Sequence, residues 1–305
     1  MSNIVRTFSV GYNPINECNV FTSGDCITGQ VTLELAKECK IDSIFVKLNG
    51  KAHVKWTEHY GKTVVTYQDK EKYFSIKQFI IETEMVSCGH HAITHFVFLS
   101  GRELPSSFKA SYGKIVYKLE ARLSRSMRVD SKAKAHVTLV NNGKSDLSLM
   151  TPQNGVVEKK MNLFTSGTVN MDVNINRTGF YQGEGIKVVA SILNKSSRHI
   201  RPKYCLYRKY SYFAKRKRKV ETKDILKEVG DEIPPSAGQT VTRIITIPPS
   251  ACPSILNCSI LRSEYRLRVY LDVKYASDPV IKFPIVILTT ETPPSCITPK
   301  TSTSA

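Results

Sequence analysis

Two runs of basic residues are the part of this chain with the clearest chemical potential. One is Lys215-Arg216-Lys217-Arg218-Lys219, just after Tyr210-Ser211-Tyr212-Phe213 with Ala214 between. The other runs through Lys114, Lys118, Arg122, Arg125, Arg128, Lys132 and Lys134. Within it Lys114, Lys118, Arg122 and Arg128 share one parity, so an extended strand would align them on its wet face. Such a stripe holds several anionic groups at once. The candidate anions are phosphorylated peptide tails, acidic phospholipid headgroups and nucleic acid. Nucleic acid is not expected, because no nucleic-acid-binding motif accompanies the charge. The alternative reading is a solvated strand face for one run and a charged loop tip for the other.

The excess charge belongs to the whole chain. Its 305 residues hold 44 Lys and Arg against 26 Asp and Glu, a net charge of +18. Residues 1–150 contribute 20 bases and 14 acids, and the remainder 24 and 12. About 41% of residues are hydrophobic, enough for packed cores and too many for a mainly disordered chain.

Catalytic chemistry finds no motif. Gly-x-Ser-x-Gly is absent, Gly183-Glu184-Gly185 lacks the third glycine of a dinucleotide loop, and there is no Walker lysine. Cys88-Gly89-His90-His91 with His95 has metal-like spacing, but no second Cys/His pair completes a zinc set. It reads instead as a polar loop entering the Phe96-Val97-Phe98 strand. The eight cysteines are scattered, with no Cys-x-x-Cys and no basic setting that would activate a thiol. The expectation is a non-enzymatic chain with no cofactor and no metal. With neither a signal peptide nor a membrane-length apolar run, it reads as intracellular with reduced thiols.

The elements that must carry these bases are strands. Val31, Leu33 and Leu35 alternate with polar residues, as do Ile44, Val46 and Leu48, the series Ile115 to Leu123, and the series Tyr265 to Val273. Turn signals separate them, among them Ser23-Gly24-Asp25, Asn142-Gly143, Asn154-Gly155, Gln182-Gly183-Glu184, Pro234-Pro235 and Pro248-Pro249. Only Thr222 to Val229, with Ile225, Leu226 and Val229, has a weak helix-like spacing. Many short strands with turns between them predict an all-β fold of β-sandwiches.

An internal repeat divides the chain. Phe21-x-x-Gly24-Asp25-x-Ile27 recurs as Phe180-x-x-Gly183-Glu184-x-Ile186. Pro105-Ser106 and the Tyr117 strand recur as Pro253-Ser254 and the Tyr265 strand. This predicts two tandem sandwiches, at 4–141 and 164–288, with a linker at 142–163. The Ser/Thr/Pro-rich stretch 289–305 is expected to be a disordered tail.

The same residues resemble a known family. Val20-Phe21-Thr22-Ser23-Gly24-Asp25-Cys26-Ile27 is similar to the start of an arrestin N-terminal domain, and Leu104-Pro105-Ser106-Ser107-Phe108 with Gly113 to Ala121 to its later signature. Gly183-Glu184-x-Ile186 with Asn194 to Arg198, and Pro253 to Leu261 with Glu264-Tyr265, resemble the arrestin C-terminal domain. The chain is identified as a member of the alpha-arrestins, the arrestin domain-containing proteins. The resemblance implies two tandem arrestin-type immunoglobulin-like β-sandwiches and a cytoplasmic adaptor, peripheral to the plasma membrane or endosomes. It implies binding to cytosolic tails of membrane proteins, their endocytosis and sorting, and ubiquitin ligase recruitment through Pro-Pro-x-Tyr. Here Pro293-Pro294-Ser295-Cys296 has Cys at the tyrosine position, so direct ligase recruitment is not expected. The alternative is a ligase-independent regulator that occupies cargo or partner arrestins. One family branch binds thioredoxin through a cysteine upstream of the late strand pair. Gly238 to Ile247 holds none, and that activity is not carried over.

Overall fold

The computed structural model describes residues 4–22, 24–99, 103–141, 147–160, 167–273 and 277–289, and for 93–99 the backbone alone. The Asn142-Gly143 turn and the stretch from 290 onward lie outside the described residues. Within them the alternation becomes burial. Ile115, Tyr117, Leu119, Ala121 and Leu123 are buried while their neighbours are not. A strand with one face on a core requires that period of two.

The first sandwich has a small sheet of β1 (Val5–Tyr12), β3 (Cys26–Leu35) and β6 (Gly89–Leu99), in the order β1-β3-β6. Its larger sheet contains β2 (Val20–Thr22), β4 (Cys39–Tyr60), β5 (Thr63–Val86), β8 (Gly113–Ser124) and β9 (Ser131–Val140), in the order β2-β9-β8-β4-β5. The short β7 (Phe108–Lys109) pairs with the start of β8. Val31, Leu33, Ile44, Val46, Leu48 and Tyr117 fill the space between the sheets.

The second sandwich pairs β10 (Gln153–Lys160), β11 (Gly167–Ile175), β13 (Gly185–Ser196) and β16 (Ala237–Thr246) in one sheet, in the order β10-β11-β13-β16. The other holds β12 (Gly179–Tyr181), β14 (Ile200–Ala214), β15 (Lys217–Val229), β17 (Leu261–Val273) and β18 (Val280–Leu288), in the order β12-β18-β17-β14-β15. The all-β expectation of two tandem sandwiches holds.

The repeat extends to individual hydrogen bonds. The Asp25 carboxylate accepts the Thr22 amide at 2.6 Å, and the Glu184 carboxylate accepts the Tyr181 amide at 2.9 Å. Gly24 and Gly183 supply the positive φ these turns need, 101° and 82°. Tyr117 donates its hydroxyl to the Pro105 carbonyl at 2.6 Å, and Tyr265 to the Cys252 carbonyl at 2.7 Å.

Three stretches differ from expectation. Gly89-His90-His91 and His95, expected in a loop, belong to β6, paired along β3. Most of the expected linker 142–163 that is described is structured: Leu147–Met150 form a 3-10 turn and Gln153–Lys160 form β10, paired along β11. Asn154-Gly155 is therefore strand rather than turn. A Cβ on Gly155 would lie 2.5 Å from Ile281 Cγ2, so glycine serves close packing there. Thr222 to Val229 is the outer part of β15. A register shift opposite Leu206/Tyr207 makes Ile225 an extra residue, and this bulge gives the adjacent apolar pair its non-alternating spacing.

The two sandwiches share a core at their junction. Tyr210, Tyr212, Ala214, Ile255, Cys258, Ile260 and Leu261 pack into the first sandwich's cluster. Phe108 and Tyr210 meet edge to face at 5.1 Å, as do Tyr112 and Tyr212 at 5.6 Å. Each pair adds about 0.5–1.5 kcal/mol beyond its area. A Cβ on Gly113 would lie 2.5 Å from Leu261 Cδ1, so glycine serves the close approach of β8 to the second sandwich. Glu71 closes the junction, accepting the Ser259 amide at 2.8 Å and its hydroxyl at 2.6 Å.

Candidate anion-binding surface

Register decides what the bases of β8 face. Lys114, Lys118 and Arg122 do lie on its outer side, opposite the buried series. Arg128 does not join them. β8 ends at Ser124, and Arg128 closes a turn whose amide donates to the Arg125 carbonyl at 3.2 Å. The expected four-residue stripe is thus three residues and a loop, because Met127, with φ of 56°, breaks the extended backbone.

The three that remain divide into two settings. Glu120 shares their face and lies between Lys118, at 2.9 Å, and Arg122, at 3.3 Å. Arg122 also reaches Asp130 at 3.6 Å. The Lys118 ammonium, and then Arg122, hold the Glu120 carboxyl below its usual range against the opposing effect of burial. This end of the stripe is an internal ion-pair network.

Lys114 stands elsewhere. Across the ladder it pairs with Lys109 of β7 on one side and His53 of β4 on the other, and His53 pairs with Lys70 of β5. The row Lys109-Lys114-His53-Lys70 therefore crosses four strands on one face. Among the described residues none of these lysines, nor Lys55 beside them, forms an ion pair. Burial, followed by the charges of Lys70, Lys114, Lys51 and Lys55, holds the His53 imidazole below its usual pKa. The four lysines thus add to the effect of burial. A cavity of about 160 Å³ opens here, lined by His53, Lys55, Lys109, Ser111, Tyr112 and Lys114, among others.

The second run arrives at the same place. Lys215 and Arg216 form the turn between β14 and β15, both with positive φ, 49° and 63°. Lys215 Nζ donates to the Thr66 carbonyl of the β4–β5 hairpin at 3.4 Å. Lys217 and Lys219 pair opposite Ala214 and Tyr212, on the face turned to the first sandwich. Lys219 Nζ sits 4.6 Å from the Tyr112 ring centroid, and both lysines help hold the Glu58 carboxyl low, after its hydrogen bonds from Tyr60 and Trp56. Arg218 points away and donates to Ser211 Oγ at 2.8 Å. The fold thus unites Lys114, Lys217 and Lys219 along one seam, and separates Lys118, Arg122, Arg128 and Arg218 from it.

Comparison with known proteins accounts for this architecture. The arrestin (or S-antigen) N-terminal domain matches residues 8–145, and the arrestin C-terminal domain matches residues 165–292. The chain belongs to the arrestin family. Arrestin domain-containing protein 4 of Mus musculus is 29% identical over 285 residues, covering 88% of this chain and 68% of the relative. Its Homo sapiens counterpart is 28% identical over the same length, with the same coverage. Thioredoxin-interacting protein of Rattus norvegicus is 28% identical over 296 residues, covering 93% of this chain and 74% of the relative. The seam is therefore the junction of the two arrestin domains.

His53, Lys55, Lys109 and Tyr112 escape sequence reasoning. His53 and Lys55 share the outward parity of Lys47 and Lys51, a signal open to inspection. The register that sets His53 against Lys114 is not written in either segment. Among the described residues no group of three His, Cys, Asp or Glu is arranged for a metal ion, and no helix is long and apolar enough to cross a membrane.

Proposed function

We propose that this chain is a non-enzymatic adaptor that binds cytosolic regions of membrane proteins and promotes their endocytosis and endosomal sorting, linked to their ubiquitination. Its place is cytoplasmic, peripheral to the plasma membrane or endosomes. The arrestin domain pair supports the adaptor role. The observation that carries the reading is the basic seam at the junction of the two domains. Close to an acidic bilayer each such base contributes up to about 1 kcal/mol of attraction. The seam holds the adaptor against acidic phospholipids while a sheet edge captures cargo. β5 supports that second step: it is 24 residues long, lies at the edge of its sheet, and exposes Val64, Ile76 and Phe79. An edge strand takes up an extended peptide through its free backbone groups.

Proximity labelling in cells tests the adaptor role. Membrane proteins with cytosolic segments are expected among the labelled species. Their depletion is expected with Lys215, Lys217 and Lys219 changed together to Glu. An unchanged labelling pattern would remove the seam from the account.

A second reading, ligase-independent occupation of cargo or partner arrestins, is favoured by Cys296 in Pro293-Pro294-Ser295-Cys296. A tyrosine there would anchor the peptide in a WW-domain groove. Pull-down on a WW-domain array separates the two: direct binding supports the ubiquitination link, and none supports the second reading.

A further inference from the structure

We propose that Lys109, Lys114 and His53, with Lys55 and Ser111, form a pocket for one phosphate monoester dianion. The inference rests on the seam being an anion-binding surface and names the group that it takes.

Three observations carry it. Like charges placed directly opposite each other in a sheet are destabilising, yet here four basic side chains, Lys109, Lys114, His53 and Lys70, stand in one cross-strand row. At the other end of the same strand Glu120 neutralises its neighbours, so the absence of a carboxylate here is not a general property of β8. Second, the row borders an open surface recess of about 160 Å³. That is ample room for a small tetrahedral group. Third, His53 Nε2 is buried without a hydrogen-bond partner. An unpaired buried polar atom is costly, and an anion in the recess would accept a hydrogen bond donated by its N–H.

The lining also selects among anions. A phosphate monoester carries about −1.5 to −2 charge at pH 7 and three acceptor oxygens. The cations are lysines, compact point charges that can gather around a phosphate from several sides. Ser111 adds a neutral hydroxyl. Such a group is carried by a soluble sugar phosphate or by a phosphoinositide headgroup.

The charged groups that face His53 are Lys51 and Lys55 on its own strand, Lys70 from β5, and Lys114 from β8 with Lys109 beyond it. All are cations, so a bound dianion must raise the His53 pKa. Imidazole NMR of the full chain reads this directly. Glycerol 3-phosphate is expected to raise it, saturably, by about one unit. Lys114→Ala and Lys109→Ala should each weaken glycerol 3-phosphate about tenfold. Lys118→Ala, which removes the same charge from the same strand, should leave it unchanged. Lys109 and Lys114 are both exposed, and melting curves of the variants confirm folding.

Vesicles separate the sources. Stronger retention on phosphatidylinositol 4-phosphate than on phosphatidylserine at equal charge supports the headgroup. Equal retention, with His53 still moved by glycerol 3-phosphate, supports the soluble phosphate. An unmoved His53 in both arms overturns the pocket, as does Lys118→Ala weakening binding as much as Lys114→Ala. If phosphatidylserine vesicles retain the chain while His53 stays unmoved, the pocket falls and the anion surface stands.

Discussion

Lys114 and Arg122 occupy one strand and one parity, yet they live in opposite electrostatic settings. Arg122 and its neighbour Lys118 form ion pairs with Glu120 and Asp130, although Arg122 Nε is left without a hydrogen-bond partner. Lys114 is surrounded by Lys109, His53 and Lys70 across the ladder. The difference comes from what each end of β8 touches. The far end runs beside acids of its own hairpin. The near end is pressed by Gly113 against Tyr212 and Leu261 of the second sandwich, where the turn between β14 and β15 adds more bases. A row of like charges is stable as protein only if other contacts hold it there, and the shared aromatic core supplies them.

The largest expected effect breaks that anchoring. Gly113→Val puts methyl groups beyond a Cβ that would itself lie 2.5 Å from Leu261 Cδ1. Overpacking of this kind should cost about 1–3 kcal/mol in denaturant unfolding. An unchanged midpoint would mean that the seam is loosely packed.

Next is the far end. Glu120→Gln should release Lys118 and Arg122 and make this end resemble the near one, with retention on phosphatidylserine vesicles rising. The stability loss should be about 1 kcal/mol or less, since the partners are part-exposed. The same variant has a pH signature. The Glu120 carboxyl is held low in the folded chain, chiefly by Lys118. Its contribution is therefore present above the unfolded value near 4.5 and lost as pH falls through the folded one. The melting temperature of the parent chain should fall more steeply than that of Glu120→Gln below about pH 4.5.

The smallest effect belongs to Arg128. It sits in the loop, away from both settings, and Arg128→Ala should change stability by less than about 0.5 kcal/mol. Vesicle retention should hardly move, whereas a large loss would restore the residue to the stripe.

Much of this was legible in the residues. Alternating series such as Ile115 to Leu123 become one-sided strands because burial on a pleated sheet follows parity. The turn repeat around Gly24 and Gly183 is legible because glycine and the following carboxylate do the same work twice. β10 was hidden, since Asn154-Gly155 looks like a turn and the packing against Ile281 that demands glycine is far away in sequence. The same limit hid the pocket. Charge counting finds Lys114 and Lys219, but cross-strand register brings His53 and Lys109 to Lys114, and packing between sandwiches brings Lys219 to Tyr112.

The most direct test sets two single substitutions side by side in co-sedimentation with phosphatidylserine vesicles. Lys114→Ala should lower the affinity about fivefold, the value of one base near an acidic surface, and Lys118→Ala should leave it near that of the parent chain. Equal losses from the two would contradict the account, because β8 would then be a uniform basic stripe and the seam would have no special place in it.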